Sequence, residues 1–433
     1  MEKQSYDVIV IGGGPAGMMA AICAASDGAS VLLLERNESL GKKLLLTGHG
    51  RCNITNTQAL ERLPEKYFEQ GRFLNSEFHR YSPQRVREIF EEWGVPTHEE
   101  ENGRIFPDSQ KSKTVLDALL QTIQASKIEV HCSEAVQALY KEKENWKVVT
   151  EEDFHYASSV VLACGGKAFP QTGSIGDGLR LASKVGHTIQ PLVPALAPIL
   201  IREESGVATL SGITIPDVAL KLMVEDKKIA QSEGDLLFTH QGFSGPSAMR
   251  LSRNLPEPEK TECYRNGHVK VVVNMLPKWQ QDELNEHLIL AMSASPNRPI
   301  RRIVKELSGL PERVVDYVLG EDARELLCHE VTKVARRTIL RNLQESVFTI
   351  EKPASWETAY VTRGGVSLKE IQPKTMESKC QAGLFFAGEI MDIDGDSGGY
   401  NLQHAWASGA IAGHSCSTLS RMPQTMMDAQ NIR

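Results

Sequence analysis

Three glycines near the start of the chain are spaced for phosphate chemistry. Gly12, Gly14 and Gly17 fit a G-x-G-x-x-G turn directly after the apolar run 6–11, YDVIVI. At this spacing the first glycine allows a tight turn, the second lets a pyrophosphate approach the backbone, and the third lets helix and strand pack closely. Pro15 and Ala16 open the small-residue helix that follows, whose N-terminal amides would face an anion. Glu35 ends the next apolar run, 30–34, 18 residues beyond Gly17, where a carboxylate can accept hydrogen bonds from ribose hydroxyls. A lone glycine fingerprint is a weak signal; a strand before it, a helix after it and an acid at this distance make it specific. The constellation reads as a dinucleotide site, with NAD and FAD both open at this point.

Other side chains could carry chemistry. Cys52 stands beside Arg51, where a thiolate would be stabilised and could attack an electrophile. The alternative, that residues 47–53 wrap their backbone around a cofactor while Cys52 fills a small pocket, is favoured because no second thiol sits nearby. None of the eight cysteines forms a C-x-x-C pair, so neither a zinc ribbon nor a redox dithiol is written here, and no metal site is expected. Tyr400, His404, His240 and Arg363 are further candidates for proton donation or anion anchoring. Each alone reads more readily as a structural residue satisfied by local hydrogen bonds. Lys42 and His49 read as solvated loop residues.

The elements that must position these groups form an α/β fold. The run 6–11 reads as a central parallel strand covered on both faces, and 30–34 as its neighbour. Two later segments repeat the pattern: 159–163 runs into Cys164-Gly165-Gly166, and 383–387 ends in Gly388-Glu389 before a helix through Ala412. Such a layout closes an FAD site, the last helix aiming its N-terminus at the pyrimidine end of the flavin. The chain has 433 residues, is 41% hydrophobic and 24% charged, and carries a net charge of −7. That balance argues against disorder and against a non-specific nucleic-acid binder. The longest uncharged stretch, 8–26, is broken by four glycines and a proline rather than being a plain apolar span, so a soluble, cytoplasmic protein with no membrane partner is expected.

The segments TGHGRCNITN (47–56), CGGKAFPQTGSIGDG (164–178), FTHQGFSGPSAMRLSR (238–253), VTRGGVSLKEI (361–371) and GLFFAGEIMDIDGDSGGYNLQHAWASGAIAG (383–413) resemble those of the BaiN/YhiN-like FAD-binding flavoproteins. These carry labels such as NAD(P)/FAD-dependent oxidoreductase or aminoacetone-oxidase-family protein. The resemblance spans residues 7 to about 413. It implies FAD contacts at Gly12, Gly14, Pro15, Ala16, Glu35 and Arg36 for the ADP half. It implies others at Lys43, Thr47, Gly50, Arg51, Cys52 and Asn53 around the isoalloxazine. Val136 would serve the adenine, Ala163, Gly165, Gly388 and Glu389 the middle, and Asn401, Leu402 and Gln403 the flavin's far end. Where many related flavoproteins have Gly-Asp, this chain has Gly388-Glu389, whose longer side chain is still expected to reach a ribityl hydroxyl.

Cofactor-site elements stop near 186 and resume near 359, so the middle reads as an insertion. The expected organisation is a Rossmann-like, three-layer FAD-binding domain with a parallel sheet over 1–190, a β-barrel-like insert over 191–278, a helical insert over 279–346, and a return segment over 347–433. Arg298, Arg301, Arg302, Lys305, Lys333, Arg336, Arg337 and Arg341 invite an RNA reading, but acids interleave them and no aromatic platform does, which weighs against nucleic acid. The expected function is an FAD-dependent oxidoreductase moving hydride through flavin N5 to or from a small organic substrate, with NAD(P)H as a transient donor because no second glycine turn is present. The alternatives are a flavin-dependent tRNA-modifying protein and a non-catalytic flavin-binding regulator. Substrate and oligomeric state are left open.

Overall fold

In the computed structural model, which describes residues 5–257 and 260–420, the run after Ser5 becomes the central strand Ser5–Ile11. Parallel strands flank it on both sides: Val31–Leu34 and then Glu129–His131 on one, Phe154–Leu162 and then Leu384–Phe386 on the other. Val8, Ile9, Val10, Leu32, Leu33, Val160, Val161, Phe385 and Phe386 are all buried, which is why these strands read as unbroken apolar runs. The sheet is mixed rather than purely parallel. A hairpin, Ala138–Glu142 with Asn145–Val149, pairs antiparallel with the start of Phe154–Leu162.

Two helices lie against each other beside this sheet. Pro15–Ser26 is buried on every side from Ala16 to Ala24, so it shows no polar face. Its partner is the 23-residue helix Gly398–Ser420. A Cβ at Gly409 would lie 2.4 Å from the Ala16 carbonyl oxygen, and one at Gly413 2.3 Å from that of Ala20. Only glycine permits that approach, which fixes the second helix's N-terminus relative to the first.

The chain divides into two units, Met1–Val193 with Tyr360–Arg433, and Pro194–Ala359. The second holds a six-stranded antiparallel sheet in the order Ile199–Leu200, Gly242–Ser244, Lys227–Thr239, Thr214–Val224, Val269–Asn274, Ser346–Thr349. Its edge strands meet: the Arg202 amide donates to the Thr349 carbonyl at 3.0 Å and the Glu351 amide to that of Leu200 at 2.8 Å, closing the sheet toward a barrel. Four helices, Gln281–Ala294, Ile300–Ser308, Glu312–Ala323 and Lys333–Gln344, precede the last strand. Residues 346–349, which the sequence reading divides between the end of the helical insert and the start of the return segment, therefore complete the insert's sheet. Several of the basic residues in these helices are neutralised locally. Arg298 pairs with Glu306, Arg301 with Asp316 and Glu312, and Lys305 with Glu312, while Arg336 donates to Asn285. Among the described residues, no helix is long and apolar enough to cross a membrane.

Candidate functional site

The N-termini of Pro15–Ser26 and Gly398–Ser420 open on one cleft of about 1350 Å³, counted out to its open mouth. A cleft that runs from one helix N-terminus to another suits an extended dinucleotide, which carries a charged group between two ring systems. Its walls include Gly12, Gly14, Pro15 and Ala16 from the glycine turn, and Gly398, Asn401 and Leu402 from the second helix. Gly12 has φ +109° and its Cβ would lie 2.6 Å from the Ala163 carbonyl oxygen, so glycine is required there. A Cβ on Gly14 or on Gly398 would meet nothing within 4 Å. Each leaves an open cradle at a helix N-terminus, the place where backbone amides and the helix dipole favour negative charge. The residues present thus fit FAD at both its pyrophosphate and its flavin end.

Glu35 is buried and held from two sides. Its Oε2 accepts from the Gly13 amide at 2.7 Å, and its Oε1 from the amide and side chain of Asn37 at 2.8 and 2.7 Å. Arg36, also on the cleft wall, forms an ion pair with Asp177 at 3.0 Å. Val136, Ala163 and Gly165 line the same cleft, as do Lys43, Thr47, Gly388 and Glu389. Glu389 accepts from the Thr362 amide at 2.7 Å and from Lys43 Nζ at 2.7 Å. Both oxygens of this carboxylate are engaged by protein, so a ribityl hydroxyl would have to share or displace one of them. Lys42, read from sequence as a loop residue, lines the cleft beside Lys43; His49 is exposed.

Other expected contacts face elsewhere. Gly50, Arg51, Cys52 and Asn53 do not line the cleft, because Gly48, His49, Gly50 and Cys52 all adopt left-handed backbone conformations that turn the loop away. Arg51 instead packs over the Phe106 ring and reaches Glu100 at 2.8 Å and Gln110 at 3.0 Å. The Cys52 thiol is fully buried, and desolvation pushes it up to about 12, the opposite of an activated nucleophile. Asn53 sits against Gly399, where a Cβ would come within 2.5 Å of its Nδ2. On the second helix, Asn401 uses its amide to hold Gly395 and Ser397, shaping the turn before the helix. Gln403 turns its side chain to the Tyr81 carbonyl and the Thr55 hydroxyl, away from the cleft.

The acid–base candidates Tyr400, His404 and Arg363 do not line the cleft. The Tyr400 carbonyl accepts from Tyr67, and Tyr400 lies outside the cleft lining. His404 is buried with its Nδ1 3.0 Å from the buried carboxylate of Glu77. Arg363, on the short strand Val361–Arg363, is likewise absent from the lining, whereas its neighbours Tyr360 and Val361 are present. Sequence reading misses those two, together with Asn37, Asp177 and the Ser174 turn. An aromatic residue just before the V-T-R-G-G segment is the one signal available for Tyr360.

Comparison with known proteins agrees with this geometry. A family model described as HI0933-like protein Rossmann domain matches residues 6–415. A 3-dehydro-bile acid delta(4,6)-reductase of Clostridium scindens is 31% identical over 409 residues, covering 93% of this chain and 97% of that one. A ribosomal RNA dihydrouridine synthase of Haemophilus influenzae is 29% identical over 414 residues, covering 94% and 97%. Among solved structures, a 3-ketosteroid delta1-dehydrogenase from Sterolibacterium denitrificans superposes with a TM-score of 0.51 at 14% identity, over 96% of this chain and all of that one, a likeness of fold alone. With a glycine turn, a two-helix cleft and a family match over nearly its whole length, the chain belongs to the HI0933-like family of Rossmann-domain, FAD-binding flavoproteins.

Proposed function

We propose that the chain is an FAD-dependent oxidoreductase that reduces a carbon–carbon double bond next to a carbonyl in a small organic substrate, with NAD(P)H as a transient donor. FAD, when bound, supplies hydride chemistry at its N5. The residues around the cleft then have separable tasks. The glycine turn 12–17 and the N-terminus of Pro15–Ser26 hold the pyrophosphate, with Glu35 fixed by Gly13 and Asn37 at the ribose side. The N-terminus of Gly398–Ser420 would offer its positive end to the pyrimidine edge of a bound flavin, a placement that favours negative charge there. Lys43 and Glu389 pair across the cleft between these two anchors.

The observation that carries the reading is the single cleft spanning both helix N-termini. The choice of reaction draws support from the two relatives, since a delta(4,6)-reductase and a dihydrouridine synthase both saturate a double bond conjugated to a carbonyl. The second name also supports an alternative reading with an RNA base as substrate. Local neutralisation of Arg298, Arg301 and Lys305 in the helical insert favours the small molecule. The test is anaerobic reoxidation of the reduced protein, followed by flavin absorbance, against a panel of conjugated 3-oxo steroids and other enones. In parallel, ribosomal RNA would be treated and its dihydrouridine measured by mass spectrometry. Rapid reoxidation by an enone without dihydrouridine formation supports the proposal; dihydrouridine formation with inert enones overturns it.

A further inference from the structure

Two histidines and two carboxylates meet beside Tyr6 in the first unit without any part in the chemistry above. Strand Glu129–His131 supplies Glu129 and His131, the segment after it Glu134, and a different strand, Phe154–Leu162, supplies His155. His131 Nδ1 lies 2.9 Å from Glu134 Oε2, and His155 Nε2 lies 2.9 Å from Glu134 Oε1. One ligand atom from each of these three residues falls within 4.8 Å of the other two. The other nitrogen of His131, Nε2, is 2.9 Å from Glu129 Oε1.

We propose that His131, Glu134 and His155 form a binding site for a divalent transition cation such as zinc, with Glu129 orienting His131 from behind. Two imidazoles and one carboxylate are a ligand set that such ions accept, at about 2.0–2.2 Å from each donor atom, with further positions left for water. Ligands bonded at that length lie about 3.3–3.6 Å from one another in a tetrahedron. The two histidine nitrogens sit 2.9 Å from the two different oxygens of Glu134 and all three donors lie within 4.8 Å of one another, so a small rearrangement of these side chains seats an ion. The contact between Glu129 and His131 is the second, independent sign. A metal-bound histidine characteristically donates its free N–H to a carboxylate, which fixes the tautomer and raises the basicity of the bound nitrogen.

The carboxylates of Glu134 and Glu129 place negative charge at the cluster, as a bound divalent ion requires. The site is neither sealed nor bare. The side chain of His155 is 7% exposed, that of Glu134 20% and that of His131 31%, so an ion has an entry path and a partly desolvated seat. Glu134 also lines the nucleotide cleft, and its amide donates to the Glu35 carbonyl at 2.9 Å. The cation would therefore brace the wall beside the ribose-side carboxylate. The ligands come from positions 131, 134 and 155, a spacing that matches no short metal motif, which is why the sequence alone suggests no metal.

The test is calorimetric titration of zinc chloride into the purified flavoprotein after dialysis against a chelator, in a non-coordinating buffer. Cobalt(II) is titrated separately, its ligand-field band read at wavelengths beyond the flavin absorption. The expected result is one equivalent bound at micromolar affinity or tighter, with a cobalt band intense enough for fewer than six ligands. Glu129→Gln should weaken binding about 10–100-fold, as loss of a partner behind a ligand does. His131→Gln and Glu134→Gln should each weaken it at least as much. These positions are partly exposed, so the variants remain informative even if His155→Gln does not fold. A Cys132→Ser control should bind as the parent does. No saturable binding, or zinc affinity unchanged in both His131→Gln and Glu134→Gln, overturns the proposal.

Discussion

The ammonium of Lys43 lies 2.7 Å from Oε2 of Glu389, although 346 positions separate the two residues in the chain. The first follows the glycine-turn half of the cleft and the second ends the strand Leu384–Phe386 and its turn, so one ion pair ties the two halves of the cofactor site. Their side chains are 24% and 20% exposed, between a surface pair and a buried one. Glu389→Gln keeps an acceptor for the Thr362 amide but removes the charge facing Lys43. Its expected cost is about 1–2 kcal/mol in FAD binding, or about 5–30-fold in Kd. Fluorescence titration of FAD into apoprotein measures this, and an unchanged Kd in both Glu389→Gln and Lys43→Met would refute the role.

Two glycines of the same turn should respond in opposite ways to one substitution. Gly14 has φ −81° and ψ −177°, backbone values valine accepts, and its Cβ direction is open. Gly14→Val should fold with stability within about 0.5 kcal/mol of the parent apoprotein and bind no FAD, because the added side chain occupies the phosphate cradle. At Gly17 a Cβ would lie 1.8 Å from the Gly12 carbonyl oxygen, so Gly17→Val should disrupt helix–strand packing itself. Absorbance at the flavin bands and thermal melts separate the two. A yellow Gly14→Val would remove the basis for the pyrophosphate assignment.

How much of the site is legible depends on sequence distance. The glycine turn, Glu35 and the strands around them are local, and their residue types alone dictate them. The Lys43–Glu389 pair and the seat of Glu134 at the cleft wall are products of tertiary folding, so no spacing announces them. Thr47 and Gly48 line the cleft, but residues 50–53 leave it for a different reason. These residues have the polarity of a cofactor loop, yet left-handed conformations at His49 and Cys52, which side chains rarely adopt, swing Arg51 toward Glu100. Gln403 misleads through helical phase. It sits two residues from Asn401 on the same helix, which rotates it to the face held by Tyr81 and Thr55.

Cys52 should prove chemically silent. Its thiol is enclosed and its ionisation is pushed up to about 12 by desolvation, so a negligible fraction is thiolate at neutral pH. Brief iodoacetamide treatment of the native protein should label the exposed Cys132 and Cys380 and spare Cys52. Cys52→Ala should retain FAD and turnover within about twofold, losing only ~1 kcal/mol of stability for the small cavity. Peptide mapping that finds Cys52 alkylated as fast as Cys132 would contradict this.

Electron entry has a kinetic signature. With one glycine turn assigned to FAD, a nicotinamide donor must approach the flavin within about 3–3.5 Å without a phosphate cradle of its own. Donor and substrate should then alternate, giving parallel double-reciprocal lines at several fixed substrate concentrations. Intersecting lines would reveal a ternary complex and a second nucleotide seat.

A buried contact between Glu77 and His404 joins the helix Asn75–Arg80 to the helix Gly398–Ser420. Both side chains are sequestered, at 0% and 3% exposure. Burial raises the Glu77 carboxyl above its ordinary 4.5, and the favourable contact with His404 opposes that rise. A carboxyl with a raised folded value favours its neutral form in the fold. Its contribution to stability is therefore full below about pH 4.5 and is lost as pH rises through the raised folded value. Glu77→Gln stays neutral at every pH and keeps an acceptor for the His404 N–H. The variant should match the parent in Tm near pH 4 and exceed it increasingly as the pH climbs through that value, levelling off above it. The gap at that plateau is about 1.4 kcal/mol for every tenfold by which folding weakens the acid. Glu77→Ala leaves a cavity and an unpaired His404, and should lose about 2–4 kcal/mol throughout. Melting curves of the three proteins from pH 4 to pH 8 read this directly. A constant gap between Glu77→Gln and the parent across that range would mean that Glu77 does not titrate there, and that the contact is an ordinary ion pair.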